Sequence, residues 1–262
     1  MAKTRAPERV APGVYRADAV GFPNAVSVLL LENYDGWTLV DTGLESSVGR
    51  IRDALAALGA EPRDLKRIFL THHHMDHTGG LPSLLEWSPE AKLGTTEHEA
   101  EIVSGSRRLD ERPNRIVRAL DRRLQLLTAP VGKVLREGDL VSGFRVILTP
   151  GHTSGHASLL RDEDGLLFTG DAFGAVALRR IRVGVVKIFC TDPSLAKRSA
   201  KKLLQEEFDT VVMSHGKPLY TGARQELREA VARCNMGRST PRVVSDSSSA
   251  IPAVILCVQE AW

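Results

Sequence analysis

The sequence predicts an α/β protein, and three observations carry that prediction. Short apolar runs alternate with segments of helical period along most of the 262 residues. Two halves of the chain rhyme, each running from an apolar strand through an acidic turn and a helix to a second strand that ends in histidine. Histidine and aspartate collect where strands end, so the polar ends are expected at one rim of two similar layers that face each other.

Val26 to Leu31 is the first expected strand, and Thr38-Leu39-Val40 follows it into Asp41-Thr42-Gly43. A helix from about Ser47 to Leu58 rests on Val48, Ile51, Leu55 and Leu58 at helical spacing, with Gly59 as its stop. Ile68 to Thr71 is the next strand and ends in His72; Lys92 to Thr95 is another, and helices are expected near Thr96 to Ser104 and Pro113 to Leu127. Phe144 to Leu148 and Ala157 to Leu160 read as strands, and Leu166-Leu167-Phe168 enters Thr169-Gly170-Asp171. Asp192-Pro193 opens a helix as N-cap and first-turn proline. Val211-Val212-Met213-Ser214 then ends in His215, and a helix near Arg224 to Cys234 follows. Periodicity does not decide whether the sheets are parallel or mixed.

Residues 10–236 are expected to form one domain, and 237–262 a polar linker with a short apolar tail, Ile251 to Val258, that packs as a final strand or at a partner surface. A hydrophobic share of 42% with 26% charged residues is ordinary for a soluble globular chain. The net charge of +3 gives no case for nucleic acid or an acidic membrane as partner. Met1 to Arg9 lacks the apolar core of a secretory signal and no run reaches the length of a membrane span, so the expected location is cytoplasmic. Cys190, Cys234 and Cys257 are isolated, which indicates neither a disulfide framework nor a thiolate metal site. The expected partner is a small-molecule substrate, with a homodimer left open.

Thr71-His72-His73-His74-Met75-Asp76-His77 packs four histidines and an aspartate into seven residues directly after Ile68-Phe69-Leu70. Imidazole with carboxylate suits zinc, iron or manganese and needs no thiolate. In an extended segment His72 and His74 point the same way and can share one ion while His73 faces away. Asp76 and His77 lie beyond the strand end, where a turn can carry them to a second ion. Taken alone, the segment also fits a polar loop or a surface histidine cluster. Thr149-Pro150-Gly151-His152 and Ser214-His215-Gly216 supply two further histidine turns after apolar strands, with glycines that let the backbone bend sharply. Together with Asp41 and Asp171 they make a structural reading hard to sustain.

The ordered series Asp41-Thr42-Gly43, His72-x-His74-x-Asp76-His77, His152, Asp171 and His215 resembles the metallo-β-lactamase superfamily, over roughly residues 10 to 235. The resemblance implies a four-layer αβ/βα sandwich of two pseudo-symmetric halves, with two metals at one edge. It implies that His72, His74 and His152 bind the first metal, that Asp76, His77 and His215 bind the second, and that Asp171 bridges them. Asp41 would act through hydrogen bonds to the ligand loops. Two divalent ions, zinc first and iron or manganese as alternatives, held about 3.5 to 4 Å apart would supply a hydroxide between them. Asp76 would orient that hydroxide and relay its proton. His73, His98 and His156 are left for structural or surface roles, with His156 the candidate for a contact behind the ligands or with substrate.

Substrate is less legible. β-Lactamases of this fold usually carry Cys or Ser where this chain has Asp171, and glyoxalase II enzymes, which share the ligand set, have a long helical C-terminal region. Lactonases resembling this chain place a tyrosine three residues after the bridging aspartate, where Gly174 stands here. Phe22, Phe173, Ile188 and Phe189 are candidates to line an acyl pocket, and the arginine-rich segment 107–136 is a candidate lid or basic rim. The leading expectation is a dinuclear hydrolase of a small ester, lactone or thioester. A phosphodiesterase or a mononuclear iron enzyme of the persulfide dioxygenase type is the alternative, ahead of a β-lactamase or a non-catalytic binding module.

Overall fold

A computed structural model of the chain describes residues 5–110, 112–115, 117–118, 128–175 and 180–234. Its central strands, among them Ser27–Asn33, Gly36–Val40, Ala157–Arg161 and Leu166–Phe168, are mostly buried on both faces, which is the pattern of a sheet covered on two sides. In β1 (Glu8–Ala11), β2 (Val14–Asp18), β3 (Ser27–Asn33), β4 (Gly36–Val40), β5 (Leu65–Phe69), β6 (Lys92–Thr96) and β7 (Lys133–Leu135) the sequence order is also the spatial order of a seven-stranded sheet. Pairing is antiparallel from β1 to β4 and parallel from β4 to β7.

A five-stranded sheet is built from β8 (Leu140–Val141), β9 (Phe144–Leu148), β10 (Ala157–Arg161), β11 (Leu166–Phe168) and, beyond a hairpin of β12 (Phe173–Gly174) and β13 (Arg182–Val183), β14 (Thr210–Val212). Here too the run from β8 to β11 is antiparallel and the last pair, β11 with β14, is parallel. The succession β1 to β5 is therefore repeated by β8 to β11 and β14, so the rhyme in the sequence is a repeat of topology. Both sheets are mixed.

Period-2 alternation sorts the side chains into three cores. Leu29 and Leu31 of β3 meet Phe144, Val146 and Leu159 of the other sheet in the central core, whereas Val28 and Leu30 face outward. The outward faces are covered by helices: α1 (Val48–Ala57) and α3 (Leu81–Trp87) bring Ile51, Leu55, Leu81 and Leu84 to the first sheet. On the second sheet, α5 (Pro193–Leu203) and α6 (Ala223–Arg233) bring Ala200, Leu203, Leu227 and Val231. The result is the four-layer αβ/βα sandwich that the resemblance implied. Two short helices, α2 (Met75–Thr78) and α4 (Glu97–Val103), lie near the strand ends.

Register gathers the polar ends. Val40 pairs with Phe69 and Phe168 with Val212, and all four side chains share the central core. Asp41, the residues after Phe69, the turn at Asp171 and the segment leading to His215 therefore leave the sandwich at one edge. Strand β5 stops two residues before its expected end because Thr71 gives its amide to the Asp41 carboxylate, at 2.8 Å, and not to a neighbouring strand. Gly59 has φ +80° and ends α1 as expected, and Asp192 caps α5 by accepting from the amides of Ser194 and Leu195 at 2.8 and 2.9 Å.

Strands β1, β2, β7, β8, β12 and β13 and helices α2 and α3 add to the elements expected from the sequence. The expected helix over 113–127 lies largely outside the described residues, as do the tail 237–262 and Cys257. Among the described residues no helix is long and apolar enough to cross a membrane.

Candidate metal centre

The chain from His72 to His74 is extended, and His74, at φ −64° and ψ 148°, is the residue from which α2 starts. His72 and His74 consequently project to one side, with Nε2 of His72 3.1 Å from Nδ1 of His74. One turn of α2 then sets Asp76 and His77 beside them. Gly151 has φ +127°, and a Cβ there would lie 2.0 Å from the amide nitrogen of Ala196 in α5, so only glycine lets this loop turn flush against the helix. The turn delivers Nε2 of His152 to within 2.9 Å of Nδ1 of His74.

His72, His74 and His152 thus form one group of potential ligands, and Asp76, His77 and His215 form another. In the second group Asp76 Oδ2 lies 3.3 Å from His215 Nε2 and 3.8 Å from His77 Nε2. Asp171 stands between the groups with its oxygens divided. Oδ2 is 3.2 Å from His152 Nε2, and Oδ1 is 3.4 Å from Nε2 of both His77 and His215.

The outward ring nitrogens fix which nitrogen faces inward. Thr71 Oγ1 lies 3.0 and 2.9 Å from the two oxygens of Asp41, so it donates there and accepts from His72 Nδ1 at 3.0 Å. Asp41 Oδ2 also accepts from His77 Nδ1 at 2.8 Å, and His215 Nδ1 donates to the Ala25 carbonyl at 2.5 Å. His152 Nδ1 faces the Cys190 sulfur at 3.8 Å. Asp41 therefore orients one histidine of each group, directly or through Thr71. It does so from a left-handed backbone, φ 63°, a conformation that aspartate tolerates better than most residues.

Burial and neighbouring charge push the two groups in opposite directions. His72 and His74 are held well below the usual imidazole range, first by burial and then by the repulsion of the imidazoles around them. Burial also works against a charge on His77, but Asp171, Asp41 and Asp76 outweigh it and raise the ring to about 9. His215 is raised well above its ordinary value against the same burial, by Asp171 and Asp76. Burial would raise Asp76, yet His77 and His215 bring it down to about 2.

These residues fit divalent cations. His77 Nε2 and Asp171 Oδ1 are buried and have no hydrogen-bond partner among the described residues. Nδ1 of His74 lies 3.1 Å from Nε2 of His72 and 2.9 Å from Nε2 of His152, a spacing that cannot carry a hydrogen on all three nitrogens and suits lone pairs aimed at one ion. Imidazole with carboxylate is the donor set of a borderline cation such as zinc.

Of the remaining candidates, His156 is buried, and its hydrogen bonds form a chain with one direction. Ser158 Oγ donates to the Thr169 carbonyl, so it accepts from Thr149 Oγ1, which in turn accepts from His156 Nδ1 at 2.8 Å. His156 Nε2 is left as acceptor for the backbone N–H of Asp171 at 2.9 Å. Burial, then His152, lowers its ring to about 3, consistent with a neutral imidazole. His98 is paired with Asp110 at 2.9 Å.

Phe173 is not at a pocket surface: its side chain is fully buried in the outer core of the second sheet, in one cluster with Ala172 and Met213. Ile188 is exposed and borders a cavity of about 310 Å³ with Asn114, Lys187 and Cys190, next to His152. Phe189 is half-buried under the Arg112 guanidinium, 5.8 Å from its ring centre. Gly174 has no space for a side chain, since a Cβ would lie 2.7 Å from Val185 Cγ2 and 3.1 Å from the His215 carbonyl.

His73 is no surface histidine. It is buried and its Nδ1 lies 2.6 Å from Glu99, a carboxylate that sequence reasoning does not single out. One signal could have found it: Glu99 shares the apolar stripe of its helix with Ile102 and Val103.

The profile of the family described as the metallo-beta-lactamase superfamily matches residues 21–215. The protein YobT of Bacillus subtilis strain 168 is 31% identical over 224 residues, covering 81% of this chain and 91% of its own length. From the same organism, the protein named "Probable metallo-hydrolase YflN" is 27% identical over 236 residues, 82% of this chain and 88% of its own. A hydroxyacylglutathione hydrolase of Legionella pneumophila is 30% identical over 125 residues, which are 47% of this chain and only 39% of that enzyme. A metallo-beta-lactamase family protein from Thermus thermophilus, solved by crystallography, superposes with a TM-score of 0.65 at 27% identity, covering 86% of this chain and 80% of that one.

Proposed function

The chain belongs to the metallo-β-lactamase superfamily, and on that premise we propose that it is a dinuclear metal-dependent hydrolase of a small ester, lactone or thioester. The divided carboxylate of Asp171, one oxygen toward each ligand group, is the observation that carries a two-ion reading. His72, His74 and His152 would hold one ion, Asp76, His77 and His215 the other, with Asp171 serving both. When bound, the ions would lower the pKa of a shared water and polarise the carbonyl under attack, with zinc the best match to the donor set.

The protein's own groups do the rest. Asp76 is about 30% exposed whereas Asp171 is 5% exposed, so Asp76 is the carboxylate of the centre that can meet a substrate. It stays ionised at neutral pH and can accept a proton from the attacking water and pass it to the leaving oxygen or sulfur. His156 holds the backbone of Asp171, and Asp41 holds His72 and His77, which keeps the ligand nitrogens aimed without being consumed by the reaction. Where Gly174 stands no tyrosine can reach the substrate carbonyl, so a lactone would be held by other groups.

The partial match to hydroxyacylglutathione hydrolases supports the thioester end of this range. A panel of lactones, thioesters, phosphodiesters and β-lactams, assayed after reconstitution with Zn, Mn or Fe, tests the reading. Carboxylic esters, lactones or thioesters should turn over about 100-fold faster than the other classes. One iron per chain, with oxygen uptake on a persulfide, would defeat it.

A further inference from the structure

Glu99 is a fully buried carboxylate that touches none of the seven ligand candidates, yet its hydrogen bonds reach both loops that bring the first group together. Oε2 accepts from Nδ1 of His73, the residue between His72 and His74, at 2.6 Å. Oε1 accepts from Thr153 Oγ1 at 2.6 Å and from the Gly155 amide at 3.1 Å, on the loop that carries His152. Thr96, at the start of the same helix, donates its hydroxyl to the Gly155 carbonyl at 2.6 Å. The loop lies so close that a Cβ on Gly155 would stand 2.9 Å from the Glu99 amide nitrogen.

A buried carboxylate is costly to desolvate, and it persists where donors converge on it. Here the donors come from two segments about 80 residues apart in sequence, and the distance between those segments is the distance at which His74 meets His152. The second group hangs on other supports: Asp41 holds His77, and the Ala25 carbonyl holds His215. We propose that Glu99 is a positioning residue for the first ion: by tying His73 to Thr153 and Gly155 it sets the separation of His72 and His74 from His152, and so the affinity of that half of the centre for a divalent cation. This role rests on the two-ion reading above.

The test is a cobalt(II) titration of the full chain after chelator treatment, followed by the visible absorption of the bound ion, alongside thermal unfolding of the metal-free protein. His74→Ala and His215→Ala, each expected to remove one phase, assign the two phases of the wild type. Glu99→Gln keeps an oxygen for Thr153 and Gly155 but turns an amide toward His73, and it should weaken the first phase about 10-fold or more while leaving the second unchanged. Glu99→Ala should weaken the same phase further; if it does not fold, the Gln variant decides alone. Equal loss in both phases, tracking a fall in melting temperature, would make Glu99 a general stabilising residue and overturn the proposal, as would no change in either phase. Wild-type protein that binds no cobalt, or a single ion, would remove the two-ion reading itself, a result visible without any variant.

Discussion

The two ligand groups of the candidate metal centre are assembled alike, each from residues that follow β5 of the first sheet and one histidine that follows a strand of the second, yet they differ in charge. His72, His74 and His152 form an all-imidazole group in which burial and mutual repulsion disfavour protons on His72 and His74. Asp76, His77 and His215 sit among carboxylates, which outweigh burial and load His77 and His215 with protons when no cation is present. The meeting edge of the two sheets thus offers one group whose His72 and His74 are disposed to bind near neutrality and another whose His77 and His215 must first exchange protons for metal. Asp171 belongs to both, so the difference between the halves is set by their private neighbours.

The largest effect that probes this division is expected where it vanishes. Asp171→Ala should strip affinity from both halves and lower turnover by about 1000-fold or more, read by elemental analysis and by rate. Retention of two ions would mean that the carboxylate does not join the halves. Next, His74→Ala and His215→Ala should each leave about one ion per chain and cost on the order of 100-fold in rate. A variant of either kind that still bound two ions would erase the assignment of that histidine to its half.

Asp41→Asn tests the shared support. Asparagine tolerates the left-handed backbone, but its single oxygen cannot serve both Thr71 and His77, so affinity should drop about 10-fold in both phases of a metal titration. A drop in one phase alone would show that the aspartate serves only one half.

The smallest effect is one of pH on the metal-free protein. His77 has its folded pKa raised to about 9, so it contributes stability in full below the unfolded value of about 6.5, and that contribution is lost as pH rises through 9. His156, lowered to about 3, works the other way: its contribution is complete above about 6.5 and is lost as pH falls toward 3. Melting temperature without metal should therefore peak near pH 6.5 to 7 and decline on both sides, and metal should flatten the alkaline limb. An alkaline limb equally steep with and without metal would contradict the protonation of His77.

Much of this is legible in the sequence for a simple reason: strands that are apolar on both faces must end where polarity begins. The runs Ile68-Phe69-Leu70 and Val211-Val212-Met213 announce both the central layers and the edge where ligands gather. What stays hidden depends on contacts between distant segments. Strand β2 escapes sequence reasoning because buried Arg16 breaks its apolar alternation, and only the structure shows the guanidinium bonded to Asp18, Asn24 and Ser27. Phe173 resembles a pocket residue because it neighbours Asp171; its burial with Ala172 and Met213 in the outer core depends on packing that a two-residue strand cannot reveal. His73 faces away from the ligands, as its spacing predicts, but its partner lies 26 residues further on and no local spacing could name it.

The unequal charge of the two halves is tested most directly by calorimetric titration of the metal-free protein with zinc at pH 7, in buffers of different ionisation enthalpy. The account predicts two ions per chain, with the heat of one step independent of buffer and that of the other varying with it, as protons leave His77 and His215. A single ion per chain, or proton release shared equally by both steps, would contradict it.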